Sequence, residues 1–186
     1  MDKELENLSD GELFNLMTVG EARSAKAFEE IYTRHSPRVY AYCRRYLGNR
    51  EEAEDVFQET FIRFYNSSRQ QREMTNLAAF LLKIARNQCL NYLRENRRNA
   101  RYDDEIYVNR DNREEQDELL NLVKMAIELL PDEYKEIFIM REYNGLKYND
   151  IAEITGISIN TVKIKIFRAR ERIRQILQPY LSELSK

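Results

Sequence analysis

The sequence predicts an all-α protein: two small helical domains joined by an acidic flexible linker, the C-terminal one containing a helix-turn-helix. Three observations lead there. Apolar residues recur at the 3.6-residue period in every long segment, and no segment alternates as a strand does. Glycine and proline, five and three in 186 residues, fall where these periodic segments break. One stretch, 99–118, is poor in apolar residues and rich in acids, so it cannot bury a core and divides the chain. The expected units are therefore 1–98, the linker 99–118, and 119–186.

In chain order, a short helix starts behind Ser9, with Glu12 three residues on to complete a capping box. A long helix follows over about Ser24 to Leu47. Pro37 marks a kink or a break near Ser36, because proline lacks the amide donor and crowds the preceding turn. A third helix covers about Arg50 to Tyr65, the polar stretch Asn66 to Asn76 reads as a loop, and a fourth helix runs from about Leu77 to Arg98. Beyond the linker come helices over about Asp117 to Leu129, Pro131 to Tyr143, Tyr148 to Thr155 and Ile159 to Leu177. The last two meet at a turn carrying Gly156, and Ser158 is a good N-cap for the second.

The net charge is −2, so the whole molecule is not a generic polyanion binder and the distribution of charge matters instead. Between Tyr102 and Glu118 stand eight acids and only two bases, Arg110 and Arg113. This acidic middle either shields basic surfaces elsewhere in the chain or is simply solvated. Cys43 and Cys89 are too few for a disulfide framework, and His35, the only histidine, cannot build a common zinc site. No cofactor or metal is expected. The N-terminus is acidic without an apolar core, and no apolar run approaches bilayer length, so the expected location is the cytoplasm. The glycines are isolated and form no phosphate loop, and the carboxylates lie on polar helix faces without a nucleophile, so an enzyme is not expected.

The terminal pair of helices carries the clearest chemistry. Ile151, Ala152 and Ile154 give the first an inner face, Ile157 and Val162 pack the corner, and Ile166, Ala169, Ile173 and Leu177 continue the apolar stripe. The outer side of the second carries Lys163, Lys165, Arg168, Arg170, Arg172 and Arg174 against one acid, Glu171. A helix-turn-helix with so basic a second helix is suited to lie in a DNA major groove. The bland alternative is a solvated hairpin with a charged face.

Two faces in the first domain point to further contacts. On the fourth helix, Leu77, Leu81, Ile84, Ala85, Cys89, Tyr92 and Leu93 share a core arc, and Cys89 is plain core. Lys83, Asn87, Asn91, Arg94, Arg98 and Arg101 share the opposite arc, Arg86 and Arg97 flank it, and Phe80 lands beside Asn87 and Asn91. An aromatic ring and two amides among cations suit single-stranded nucleic acid, with the ring stacking on a base and the cations holding phosphates. The alternative is a core phenylalanine at the rim. On the third helix, Ala53, Val56, Phe57, Thr60, Phe61 and Phe64 form the buried side. Glu51, Asp55, Gln58, Glu59, Ile62 and Tyr65 form an acidic face with an apolar centre, which suits a protein partner with basic and aliphatic side chains, or is a solvated face.

The segments 49–65 (NREEAEDVFQETFIRFY) and 77–94 (LAAFLLKIARNQCLNYLR), followed by the terminal helix-turn-helix, resemble bacterial RNA polymerase sigma factors, in particular the two-domain extracytoplasmic-function (ECF) group. The resemblance covers nearly the whole chain. It implies a sigma region-two-like domain followed by a region-four-like domain. Asp55, Gln58, Glu59 and Ile62 would dock on the clamp helices of the polymerase largest subunit. The loop after the third helix, with Phe80, Lys83, Asn87, Asn91, Arg94 and Arg98, would open the −10 element and capture a flipped non-template base. Lys163, Ile164, Phe167 and Arg168 match positions that read the −35 element, with Asn160, Thr161, Lys165, Arg170 and Arg174 on the same DNA-binding helix. The linker would thread toward the RNA exit path, and the resemblance implies an anti-sigma factor as a partner alongside core RNA polymerase and promoter DNA.

The chain departs from the family pattern in four places. Phe80 stands where tryptophan is frequent, and Asn91 where aspartate is. Ile164 replaces a small polar residue, which excludes hydrogen bonding from that position but leaves contact with a thymine methyl. Lys147 replaces a serine or threonine N-cap, at a cost of about 1 kcal/mol to that helix start. The competing reading is a stand-alone helix-turn-helix regulator with a helical dimerisation or sensor domain. Such a regulator has no need of a single-strand face or an acidic docking face.

Overall fold

The structure is a computed structural model that describes residues 3–19, 23–68, 74–99 and 118–184, with side chains for 5–19, 23–68, 74–96 and 120–180. The described residues are helical apart from short turns, and the chain divides into two compact units, 1–107 and 108–186. The first unit holds α1 (Lys3–Glu6), α2 (Asp10–Val19), α3 (Ser24–Leu47), α4 (Arg50–Ser68) and α5 (Leu77–Asn99). The second holds α6 (Glu118–Glu128), α7 (Asp132–Phe138) with a π-helical continuation at Ile139–Tyr143, α8 (Tyr148–Thr155) and α9 (Ile159–Leu184).

In the first unit α2, α4 and α5 pack around α3. The expected capping box of α2 is formed: the Ser9 amide donates to the Glu12 carboxylate at 2.7 Å and the Glu12 amide to the Ser9 hydroxyl at 3.3 Å. Pro37 neither stops nor divides α3, which runs on to Leu47. Buried Ile31, His35, Val39 and Tyr42 hold the helix on both sides of the missing hydrogen bond, so tertiary packing overrides the local cost. Gly48, at φ +81°, adopts the left-handed conformation that ends α3. The Asn49 side chain then accepts the Glu51 and Glu52 amides to start α4.

Two boundaries differ from expectation. Helix α4 continues through Ser68, so Asn66, Ser67 and Ser68 are helical rather than looped, with the Ser68 hydroxyl turned back to the Tyr65 carbonyl. Helix α9 runs past Leu177 and through Pro179. The expected linker falls on residues 100–117, outside the described ones, while Asn99 and Glu118 are helical.

The core of this unit is aromatic. The Phe28 ring lies 6.3 Å from those of Phe61 and Phe64, and Phe14 also meets Phe64. On α5 the predicted Leu77, Leu81, Ala85 and Cys89 are buried, and Ala79 and Leu82 join them. The one-turn helix α1 is held from afar: the Arg34 guanidinium donates to the Leu5, Glu6 and Leu8 carbonyls at 2.7–3.0 Å, supplying donors that a helix end lacks.

Beside that contact His35 is buried, with Nε2 3.0 Å from the Asp10 carboxylate. Burial pushes the imidazole below its ordinary value; Asp10 opposes this, and the charges of Arg38 and Arg34 add to it. The unfolded chain therefore binds this proton at a higher pH than the folded one. The contribution is fully present above about pH 6.5 and is lost as the pH falls below it. His35→Gln should flatten the dependence of unfolding free energy on pH between roughly 7 and 5. Urea titrations at a series of pH values check this, and an unchanged slope would contradict the role of His35.

Candidate nucleic-acid and partner interfaces

In the second unit α9 packs against α6, α7 and α8. The inner stripe is as the periodicity requires: Ile151, Ile154, Val162, Ile166, Ala169 and Leu177 are buried, and Ala152, Ile157 and Ile173 are half-buried. Gly156 caps α8 at φ +72°, a backbone geometry that side chains with a Cβ rarely adopt. The Ser158 hydroxyl accepts the Thr161 amide at 3.1 Å and so starts α9. At the other end of α8, Lys147 caps with its backbone only, while Asp150 accepts the Lys147 amide at 3.2 Å. That bond offsets part of the missing serine or threonine cap.

The outward arc of α9 presents Asn160, Lys163, Ile164, Phe167 and Arg168, all exposed. The remaining predicted residues are engaged within the unit. The Lys165 ammonium lies 2.6 Å from the Glu133 carboxylate, which it holds below the usual carboxylate range. Arg170 donates to Glu142 at 2.6 Å, Arg174 to Glu171 at 2.6 Å, and the Thr161 hydroxyl meets that of Ser158. Arg172 stacks over the Tyr134 ring at 5.1 Å. Thus Glu133 and Glu142, from α7 and the π turn, join Glu171 in balancing the bases. Exposed pairs of this kind contribute about 0–1 kcal/mol, so phosphate oxygens can compete for the same cations.

In the first unit, the C-terminal end of α4 and the first turns of α5 enclose an open cleft of about 500 Å³. Phe80, Ile84, Asn87 and Gln88 line one wall, and Arg63, Asn66 and Ser67 the other. Phe80 is half-buried, its ring edge-on to Phe64 with centroids 6.2 Å apart. It is thus both rim and core. Asn91 shares the arc of Phe80 but lies outside the cleft, because eleven residues at 1.5 Å each carry it roughly 16 Å along the helix. Lys83, Asn91 and Arg94 are exposed on the same side of α5, and the Arg98 side chain lies outside the described residues, as do those of Arg97 and Arg101. Of the wall from α4, Asn66 and Ser67 belong to the stretch expected beside Phe80, whereas Arg63 is not among the expected residues. Arg63, Asn66 and Ser67 follow one stripe of that helix, which becomes visible only once the helix extends through Ser68.

The outer face of α4 is as expected in part. Asp55 and Gln58 are exposed, Ile62 is 55% exposed, and Glu59 pairs with Arg63 at 2.6 Å. Tyr65 turns inward onto Phe28, centroids 5.3 Å apart. Tyr32 of α3, unforeseen, reaches the surface against Phe57 and Phe61. Among the described residues no cluster of His, Cys, Asp and Glu is placed to hold a metal ion. No described helix is long and apolar enough to cross a membrane.

Comparison with known proteins matches these two units separately and together. Residues 31–99 match the family described as Sigma-70 region 2, and residues 120–173 that described as Sigma-70, region 4. The ECF RNA polymerase sigma-E factor of Haemophilus influenzae is 31% identical, over 95% of this chain and 99% of its own. The ECF RNA polymerase sigma factor SigW of Bacillus subtilis is 30% identical, over 82% of this chain and 89% of its own. Among solved structures, the sigma factor RpoE of Bartonella quintana, in complex with the anti-sigma factor NepR, superposes with a TM-score of 0.74. It is 25% identical, over 82% of this chain and 98% of its own. CnrH, in complex with the cytosolic domain of CnrY, is similar in fold at a TM-score of 0.72 and 20% identity, over 91% of this chain and 97% of its own.

Proposed function

The chain belongs to the ECF group of RNA polymerase sigma factors, and from that premise we propose how its residues divide the work of promoter recognition. As a sigma factor it binds core RNA polymerase, recognises the promoter and starts transcription. Domain 1–98 docks on the polymerase through Asp55, Gln58, Glu59 and Ile62 and opens the −10 element. Phe80 and Asn87 receive an unstacked non-template base in the α4–α5 cleft, and Lys83, Asn91, Arg94 and Arg98 hold the strand beyond it. Domain 119–186 reads the −35 element in the major groove through Asn160, Lys163, Ile164, Phe167 and Arg168. Thr161, Lys165, Arg170 and Arg174 serve the backbone on either side. The linker 99–118 lies between.

One observation supports this division most. A single chain carries a helix with exposed Asn160, Lys163, Ile164, Phe167 and Arg168 in one unit and, in the other, an aromatic- and amide-lined cleft beside exposed cations. A stand-alone regulator needs only the first. The factor performs no bond chemistry and needs no cofactor; binding energy from DNA and polymerase offsets the cost of unstacking a few base pairs. It works in the cytoplasm, where an anti-sigma factor of the kind bound to the Bartonella relative is its inhibitor.

The two kinds of DNA contact on α9 separate by mutation. Arg168→Ala should lower affinity for the preferred upstream site by about 1–3 kcal/mol and relax specificity at one position. Arg174→Ala should weaken all sequences alike and reduce the salt dependence by about one phosphate contact. Binding to a panel of single-substitution promoter duplexes at several salt concentrations checks both. Uniform loss in both variants would remove Arg168 from base reading.

A further inference from the structure

Two large apolar side chains stand in water at the centre of the outward arc of α9. Ile164 is 52% exposed and Phe167 66%, whereas Val162 and Ile166 on the other side of the same helix are buried. A single exposed apolar residue is ordinary. A pair enclosed by Asn160, Lys163 and Arg168 is not accounted for by the core, which neither side chain enters. Helix propensity does not account for it either, since isoleucine and phenylalanine are weaker helix formers than the lysine and arginine around them.

The major groove holds one apolar group, the C5 methyl of thymine; every other base edge there offers polar atoms. Set against such an edge, Ile164 would bury donors and acceptors without partners, a penalty that a small polar residue at this position would avoid. The pair is three residues apart, so the two side chains lie on one side of the helix, roughly 4.5 Å apart along its axis. That separation is close to the 3.4 Å step between base pairs.

Resting on the assignment of α9 to the upstream element, we propose that Ile164 and Phe167 select two neighbouring thymine methyls, making a methyl-bearing step part of this factor's −35 specificity. Lys163 and Arg168 then fall on the flanks of that step, where the cationic side chains suit guanine edges or phosphates. The selection is partly by exclusion: an unmethylated edge opposite Ile164 loses contact and gains unpaired polar groups.

The test replaces each thymine of a bound upstream element, one at a time, by deoxyuridine, which removes the methyl and keeps every hydrogen-bonding atom. Holoenzyme assembled from core polymerase and the full chain should lose about fourfold in affinity at each of two adjacent base pairs, the effect of one buried methyl group. It should tolerate deoxyuridine elsewhere. Ile164→Ser should abolish the sensitivity at one of the two positions and Phe167→Ala at the other; both side chains are exposed, so neither change disturbs the core. Tolerance of deoxyuridine at every position, or an unchanged pattern in both variants, would overturn the methyl readout while leaving upstream recognition standing. Holoenzyme that binds the element no more tightly than random duplex would overturn both.

Discussion

Replacing Asp55 and Glu59 together by lysine should abolish binding to core polymerase and leave the fold intact. Asp55 is exposed, and Glu59 is held at the surface by its pair with Arg63. Neither contributes to the aromatic core beneath, so the structural cost is limited to a like-charge contact between position 59 and Arg63, a few tenths of a kcal/mol on a helix surface. The effect on docking is much larger. An acidic patch around the exposed Ile62 fits a basic partner with aliphatic side chains, and reversing two charges there sets like against like, which costs several kcal/mol at an interface. Co-purification with core polymerase measures the loss, and a thermal melt checks the fold. Normal co-purification of the double variant would remove this face of α4 from the docking surface.

The second large effect is on strand opening. Stacking a base on an aromatic ring contributes about 1–3 kcal/mol, comparable with the few kcal/mol needed to extrude it. Phe80→Ala with Asn87→Ala should therefore slow opening roughly ten- to hundredfold while upstream binding stays near normal. Because Phe80 also packs on Phe64, part of any effect of Phe80→Ala reports on packing. Asn87 is exposed and lines the cleft without entering the core, so Asn87→Ala alone isolates the base-reading part. Footprints over the −35 element should persist in both variants, with reduced permanganate reactivity of thymines in the bubble. A template already melted at the −10 element should restore much of the transcription. Opening at the wild-type rate in the double variant would make Phe80 an ordinary core residue.

The helix-turn-helix was legible because its determinants are local. Gly156 and Ser158 set the turn within three residues, and the apolar stripes of α8 and α9 each follow the helical period. What escaped depends on contacts between distant residues. Lys165 and Arg170 read as free cations, yet their partners Glu133 and Glu142 lie 32 and 28 residues away. The π turn at Ile139–Tyr143 ends its helix, so no further turns follow in which a shifted period could show. Pro37 does not break α3, because residues on both sides of it are packed. The cleft depends on α4 continuing beyond Tyr65, because Asn66 and Ser67 of its second wall lie past the expected end of the helix.

Run-off transcription by core polymerase on a randomised promoter library, with and without the full chain, is the most direct measurement. With the chain, transcripts should arise from templates that share an upstream and a downstream element, and the chain should elute with polymerase at one copy per enzyme. Without it, those templates should stay silent. Transcription that does not change when the chain is added, together with binding of the chain to its preferred duplex as a free dimer, would contradict its role as a sigma factor and favour a stand-alone regulator.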